Sequence, residues 1–459
     1  MSRSTIEFVL NGEAISLPGS FAGRTVLTWL REERRLVGTK EGCAEGDCGA
    51  CTVALAELDR SGRLAYRPAA SCILFVGALD GRELITVEGL DGRHPAQRAM
   101  LECHGSQCGF CTPGFVMALY AHYESDLAAG MAALCDALAG NLCRCTGYAP
   151  ILAAGAKMFE YPNSPAEGDA ARIERLRALP RESLATPGFR APLSIEELAL
   201  ALEPGTTLLA GGTDLGLAVT KAHRDFERIV YLGRVDELKE IREDESALHI
   251  GGAVTYAEAH AALSRLHPDI GELVRRLGGA QVRACGTLGG NIANASPIGD
   301  SMPVLLALDA VLVLQHGRSI REVKISGFYT GYRRTVLQPG ELIRTIRIAK
   351  LARRARFAAY KVSKRFDQDI SAVCAAFHVD ASGEAMFGFG GMAATPARAP
   401  RAEKAYAEKG VDAACTALAE DFAPLSDHRA SAWYRLAAAQ GLLRKFHGGV
   451  SSRALLELV

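Results

Sequence analysis

Residues 5–10 alternate polar and apolar side chains, and residues 13–17 resume the alternation after Asn11-Gly12. A period of two marks a half-buried strand, and Asn-Gly between two such runs predicts a two-residue hairpin. Further strands are expected at residues 53–58 and 84–87, and one helix, over residues 25–33, interrupts the series after the hairpin. Residues 42–51 have no periodicity and are rich in glycine and cysteine, so they read as a loop wrapped around something. From His94 to Phe159 the apolar spacing becomes helical, and Pro113 stands where a first-turn proline belongs. Residues 160–187 are polar, contain prolines and are poor in large apolar groups, which predicts a linker. Residues 188–350 then mix strands (207–210, 247–250, 310–314) with helices and carry two glycine clusters. The rest starts with strands at 371–379 and 384–390 and continues as helices through Arg453. No internal repeat is visible.

Composition narrows the class. With 49% apolar residues the chain can bury several cores, and its 459 residues allow about three domains at roughly 150 residues each. Lys plus Arg is 52 and Asp plus Glu is 52, a balance that argues against nucleic acid or an anionic membrane as partner. The longest apolar run, residues 303–314, is interrupted by Asp309 and is too short to span a bilayer. The first residues lack the apolar stretch of a signal peptide, so a cytoplasmic protein is expected.

Cysteine changes the picture most. Of 13 cysteines, ten lie at or before Cys145, a crowding that points to metal ligation and not to disulfides. Cys285, Cys374 and Cys415 stand alone in apolar surroundings and read as plain buried thiols. Cys43, Cys48 and Cys51 give C-x4-C-x2-C, and Cys72 follows after 20 residues. That is the plant-type ferredoxin spacing for a [2Fe–2S] cluster. Four thiolates must converge on two irons, and a tight loop brings three in from one side. Gly42, Gly46 and Gly49 allow positive φ there and leave backbone N–H groups for the sulfurs. Zinc is the alternative, but zinc loops favour repeated C-x2-C pairs, which this loop does not offer.

The second set is Cys108-Gly-Phe-Cys111 and Cys143-Arg-Cys145, with 31 residues between the pairs. Spacing alone leaves a second cluster, zinc and a redox dithiol open. Cys103 adds a decoy, because with Cys108 and Cys111 it repeats the opening spacing of the first quartet. Both pairs stand at expected helix starts, where N–H groups and the dipole favour thiolates.

Residues 208–216 are a buried-strand signal running into glycines, whose amides can cradle a diphosphate. Residues 287–300 form a second such loop, and two together point to a large dinucleotide. Residues 388–393 also fit the dinucleotide pattern G-x-G-x-x-A. That pattern needs a strand feeding a helix, and Pro396 and Pro400 follow, so a strand edge and turn are expected instead.

Gln107-Cys-Gly-Phe-Cys-Thr-Pro-Gly114 and Gly140-Asn-Leu-Cys-Arg-Cys-Thr-Gly-Tyr148 resemble the signature of the molybdenum hydroxylases, the xanthine dehydrogenase and aldehyde oxidase family. The resemblance implies an α+β multidomain chain. It would consist of a β-grasp ferredoxin-like domain (1–88), a four-helix [2Fe–2S] domain (89–159), a linker (160–187), a non-Rossmann α+β FAD-binding domain (188–350) and a C-terminal α+β flavoprotein domain (351–459). Cys43, Cys48, Cys51 and Cys72 would then hold one cluster and Cys108, Cys111, Cys143 and Cys145 the other, leaving Cys103 and His104 as structural residues. Gln107 matches a glutamine that touches a molybdenum pterin in a neighbouring domain. Implied FAD contacts are Leu208, Leu209, Ala210, Gly211, Gly212, Thr213, Asp214 and Leu215 from the first loop and Thr287, Leu288, Gly289, Gly290, Asn291 and Asp300 from the second. Leu277, Ile343 and Lys361 follow from the surrounding stretches. Residues 363–369 match a loop that passes the flavin and influences whether NAD or oxygen takes the electrons.

The expected role is the iron–sulfur/FAD subunit of an NAD-dependent purine hydroxylase. Electrons would come from a molybdenum cofactor on a separate large subunit, with two heterodimers paired. Aldehyde or other heterocycle substrates, and a stand-alone electron carrier, are the competing readings.

Overall fold

The computed structural model describes residues 2–125, 130–161 and 169–452. They form two compact units, Met1–Arg234 with Gly278–Gly286, and Val235–Leu277 with Thr287–Val459.

In the first unit the hairpin forms as the alternation requires. Strands Thr5–Leu10 and Glu13–Pro18 pair antiparallel with Leu10 opposite Glu13. Asn11 and Gly12 have φ of 50° and 87°, the left-handed pair that matches the twist of a two-residue turn. The five-stranded sheet has the order Glu13–Pro18, Thr5–Leu10, Glu83–Ile85, Thr52–Leu58, Leu64–Ala70. Glu83–Ile85 runs parallel to Thr5–Leu10, and the other pairs are antiparallel. The edge strand Leu64–Ala70 escaped the sequence pattern because it contains Pro68, which is tolerated only at a sheet edge. Helix Val26–Thr28 widens into a π turn at Trp29–Glu33, and Trp29 packs edge-on against Phe8 with ring centroids 5.4 Å apart.

Four helices follow: Pro95–Glu102, Thr112–Glu124, Met131–Leu138 and Ala149–Lys157. They bury Phe115, Leu119, Leu134 and Ile151 together. The stretch 160–187, expected to be a linker, has residues 162–168 outside the described ones, and its described part contains helix Asp169–Ala178 and strand Leu184–Thr186. The helix is polar and is pinned by Arg172, whose Nε lies 2.8 Å from Glu83 Oε2 and Nη1 2.6 Å from Tyr66 Oη. Polar anchoring of this kind leaves no apolar period to read. Strands Leu184–Thr186, Phe189–Ala191, Ile229–Tyr231 and Thr207–Leu209 make a second sheet in that order.

Asp80 ties this unit together. Its side chain is 0% exposed and accepts from Arg3 Nη1 at 2.9 Å, Arg3 Nη2 at 2.6 Å and the Glu7 amide at 2.9 Å, and it also pairs with Arg234. Asp80→Ala leaves two guanidiniums without their carboxylate, which costs about 3–5 kcal/mol. The thermal midpoint of the cofactor-loaded chain is expected to drop accordingly, and an unchanged melting curve would refute the assignment.

In the second unit an antiparallel sheet runs Ile241–Glu243, Ala247–Gly251, Leu342–Ala349, Val311–His316, Ser319–Lys324. Helix Tyr256–Leu266 starts with a capping box formed by Thr255 and Glu258. A second antiparallel sheet, Arg356–Val362, Val373–Val379, Ala385–Gly390 and Ala397–Arg398, is covered by helices Pro400–Lys409, Val411–Asp421 and Ala432–His447. Phe377 stacks on Phe446 at 5.3 Å. Residues 388–393 are a strand end and bends, as expected for a spurious dinucleotide pattern. Gly388 is there for packing: a Cβ would stand 2.1 Å from the Pro303 carbonyl oxygen of the buried helix Ser301–Ala307. A helix does begin soon afterwards, at Pro400, where a first-turn proline costs nothing. The expected helical end at Arg453 lies outside the described residues.

Candidate functional site

The first cysteine loop turns back on itself at Gly46 and Gly49, with φ of 76° and 71°. Its thiols meet in a chain, Cys48 with Cys43, Cys43 with Cys72, and Cys72 with Cys51. The backbone amides of Glu45, Asp47 and Cys48 each point at Cys43 Sγ from 3.4 Å. Hydrogen bonds from Cys48 and Cys72 hold the Cys43 thiol well below the usual thiol range, and the same contact with Cys43 pushes Cys48 up. A thiolate wrapped in N–H donors is the donor set a cluster sulfur environment requires.

The second quartet forms two pairs, Cys108 with Cys145 and Cys111 with Cys143. Helix Thr112–Glu124 begins directly after Cys111, its N-cap, whereas helix Ala149–Lys157 begins only after Thr146, Gly147 and Tyr148, so the C-x-C pair stands before the helix and not at its start as expected; each helix has proline in its first turn. Burial pushes the Cys111 thiol up to about 12. At Cys143 burial opposes ionisation, and hydrogen bonds from the Thr146 hydroxyl (3.1 Å) and amide (3.5 Å) outweigh it. Cys108 and Cys145 are exposed, as are Gln107, Phe110 and Tyr148 beside them. Among the described residues no group of three or more His, Cys, Asp or Glu side chains is arranged to hold a metal ion. Cys103 packs into the helical core, and His104 is exposed with φ of 53°. Cys374 and Cys415 are buried thiols as expected, whereas Cys285 is only half-buried at the end of helix Ala280–Cys285.

The first glycine loop belongs to the first unit. Leu208 and Leu209 end strand Thr207–Leu209, Ala210 to Asp214 make the turn, and Leu215 opens helix Leu215–Thr220. A Cβ on Gly211 would stand 2.0 Å from the Cys285 carbonyl oxygen, so the chain can pass there only as glycine. The following helix leans on the first cysteine loop. Gly216 lies on the Ile73 backbone, next to Cys72; Thr220 Oγ1 donates to Ala44 O at 2.7 Å, and Lys221 Nζ to Cys43 O at 2.5 Å. Thr220 and Lys221 carried no sequence signal, because their meaning lies wholly in that long-range contact.

The second glycine loop belongs to the second unit. Thr287 caps helix Leu288–Asn294 by accepting from the Gly290 amide at 3.0 Å. Gly289 lies against Gly252, whose carbonyl oxygen would be 2.4 Å from a Cβ. Asn291 Oδ1 accepts from Tyr256 Oη at 2.9 Å and Ser301 Oγ at 3.0 Å. Asp300 and Lys361 form a buried pair, Nζ to Oδ2 at 2.7 Å, with Lys361 also donating to Arg276 O at 2.9 Å. The Ser371 hydroxyl donates to Asp300 Oδ1. Ile343 is buried in the core and Leu277 is partly buried against it. In residues 363–369, Ser363 Oγ donates to Arg365 O at 2.6 Å, Asp369 accepts from the Arg365 amide at 2.9 Å, and the Arg276 guanidinium lies 4.3 Å over Phe366.

Residues 86–156 match a [2Fe-2S] binding domain, residues 187–350 the FAD binding domain in molybdopterin dehydrogenase, and residues 358–450 the CO dehydrogenase flavoprotein C-terminal domain. Xanthine dehydrogenase of Drosophila subobscura is 34% identical over 90% of this chain and 36% of its own length. Xanthine dehydrogenase of Emericella nidulans is 30% identical over 98% of this chain and 39% of its own length. The chain thus spans little more than a third of these curated relatives. Among solved structures, a chain of reconstituted CO dehydrogenase from Oligotropha carboxidovorans is 29% identical with a TM-score of 0.53, over 57% of this chain and 96% of that one. A chain of quinoline 2-oxidoreductase from Pseudomonas putida 86 (24% identical, TM-score 0.52, covering 59% of this chain and 98% of that one) shares the fold. These domains define an iron–sulfur flavoprotein. The chain belongs to the molybdenum hydroxylases, as the iron–sulfur and FAD region of that oxidoreductase family. Among the described residues no helix is long and apolar enough to cross a membrane.

Proposed function

We propose that the chain is the electron-transfer part of a cytoplasmic xanthine dehydrogenase, acting in purine hydroxylation, with the five-part domain division given above. The clusters supply one-electron steps and the flavin collects two electrons, so that reducing equivalents from a partner-borne molybdenum cofactor reach NAD. Cys108, Cys111, Cys143 and Cys145 hold the cluster facing the partner, and Cys43, Cys48, Cys51 and Cys72 hold the one facing the flavin. FAD contacts are assigned to the loop 208–215 in the first unit and, separately, to Thr287–Asn291, Leu277, Asp300, Ile343 and Lys361 in the second. The partner docks where Gln107, Phe110 and Tyr148 are exposed beside Cys108 and Cys145, in an assembly of two heterodimers. The observation that carries this reading is the lean of helix Leu215–Thr220 on the first cysteine loop, through Thr220 to Ala44 and Lys221 to Cys43. It sets a glycine loop beside a thiol quartet.

The test is isolation of the chain from its source with iron, molybdenum and flavin quantified on one sample, followed by NADH formation from hypoxanthine, xanthine and an aldehyde. Two clusters and FAD with a larger molybdenum-bearing partner and purine turnover are expected. Aldehyde turnover alone would replace the substrate, and a preparation without partner or molybdenum would leave only an electron carrier.

Thr146→Val offers a finer check. It removes the hydroxyl that donates to Cys143 Sγ at 3.1 Å, a bond that favours the more negative, reduced cluster. The potential of that cluster is expected to fall in a redox titration while the other stays fixed. Equal potentials in variant and parent would take Cys143 off the ligand list.

A further inference from the structure

Segment Gly278–Gly286 lies within the stretch matched to the flavin domain but is part of the first unit. Its helix Ala280–Cys285 carries Gln281, whose residue is 1% exposed. Gln281 Nε2 donates to Thr52 Oγ1 at 2.9 Å and to Asn141 Oδ1 at 2.7 Å. Asn141 Nδ2 donates onward to Gly49 O at 3.1 Å and Thr52 Oγ1 at 3.3 Å, and the Thr52 hydroxyl donates to Gly49 O at 2.6 Å. Thr52 and Asn141 are buried too. Two backbone bonds brace the knot, Leu142 N to Cys48 O at 3.0 Å and Ala280 N to Ala139 O at 2.6 Å.

The positions of these residues give the knot its meaning. Gly49 directly follows Cys48 and Thr52 directly follows Cys51 in the first quartet, while Asn141 stands two residues before Cys143 in the second. The orientation of the Gln281 carboxamide is forced, because turning it over would set its oxygen against the Asn141 oxygen. Close approach is also built in: a Cβ on Gly140 would stand 1.9 Å from Gln281 Oε1. Both Nε2 hydrogens of this buried amide are spent on the two cysteine loops, while its Oε1 accepts no hydrogen bond from the described residues, so the side chain is held there by its two donor contacts alone.

We propose that Gln281 is a positioning residue for electron transfer between the clusters, locking residues 48–52 to residues 139–143. The inference rests on the cluster reading above. Electron tunnelling falls steeply with distance, so a knot that fixes the spacing of the two ligand loops fixes the transfer rate between them.

The test uses the full chain loaded with its clusters. Gln281→Met keeps length and bulk but removes both donors; Thr52→Val removes the hub hydroxyl, and Thr52→Ser keeps it. In electron paramagnetic resonance of the fully reduced protein, the parent and Thr52→Ser are expected to show the same spin–spin splitting between clusters. Gln281→Met and Thr52→Val are expected to keep both individual signals and lose that splitting, with slower transfer in rapid-mixing experiments. Unchanged splitting in Gln281→Met would overturn the proposal. If Gln281→Met fails to load iron, the Thr52 pair decides: equal behaviour of Val and Ser overturns it, as does iron loss in Thr52→Ser. A parent chain without two distinct signals would instead sink the cluster reading itself.

Discussion

Cys43→Ser is expected to abolish the first cluster and, on the proposed function, NADH formation with it. Cys43 is the thiol on which the loop converges, touching Cys48 and Cys72 and receiving three amide donors at 3.4 Å. A serine hydroxyl is a poor thiolate substitute: it stays protonated where this thiol is driven to ionise, and its shorter reach leaves the amides without their acceptor. One of the two cluster signals is expected to vanish in electron paramagnetic resonance, with the other signal and the flavin absorbance retained. Purine-dependent NADH formation with the partner present should fall to background. The matched variant Cys143→Ser should delete the other signal. Both signals surviving in Cys43→Ser would remove the first quartet from the electron path.

Much of this was legible in the sequence because its signals are local. The Asn11-Gly12 hairpin and the two glycine loops are each written in a few contiguous residues, and each thiol quartet contains short local spacings; the structure forms the hairpin and brings the thiols of each quartet near one another. What escaped depends on distant partners. Helix Asp169–Ala178 exists through Arg172 reaching Glu83 and Tyr66, and the edge strand Leu64–Ala70 through its pairing with Thr52–Leu58. Gln281 carries no signal in the sequence; only the return of Gly278–Gly286 to the first unit gives it Thr52 and Asn141 as partners. Ser371 and Arg276 were missed for the same reason, since neither is near Asp300 or Lys361 in the pattern that nominated that pair. Resemblance did reach Asp300 and Lys361, but spacing alone has no way to join residues 61 positions apart.

Lys361→Met is the second large effect. Side-chain exposures of 1% for Lys361 and 8% for Asp300 make this a buried pair, and Met preserves the stem of the lysine while deleting its charge. Asp300 then keeps the Ser371 hydroxyl but loses the ammonium, and an uncompensated buried carboxylate costs about 3–5 kcal/mol. Asp300→Asn does the converse, stranding the ammonium with only the Arg276 carbonyl. Each single variant is therefore expected to melt earlier and to lose FAD on dilution. The double variant Lys361→Met/Asp300→Asn removes both charges and should be more stable than either single one, since neutral groups of similar size carry no desolvation penalty for unpaired charge. A cycle of thermal melts with parallel FAD titrations reads both quantities. Strictly additive losses would show that the two charges do not stabilise one another, and unchanged FAD affinity in all three variants would remove the pair from the flavin site while leaving it a structural bond.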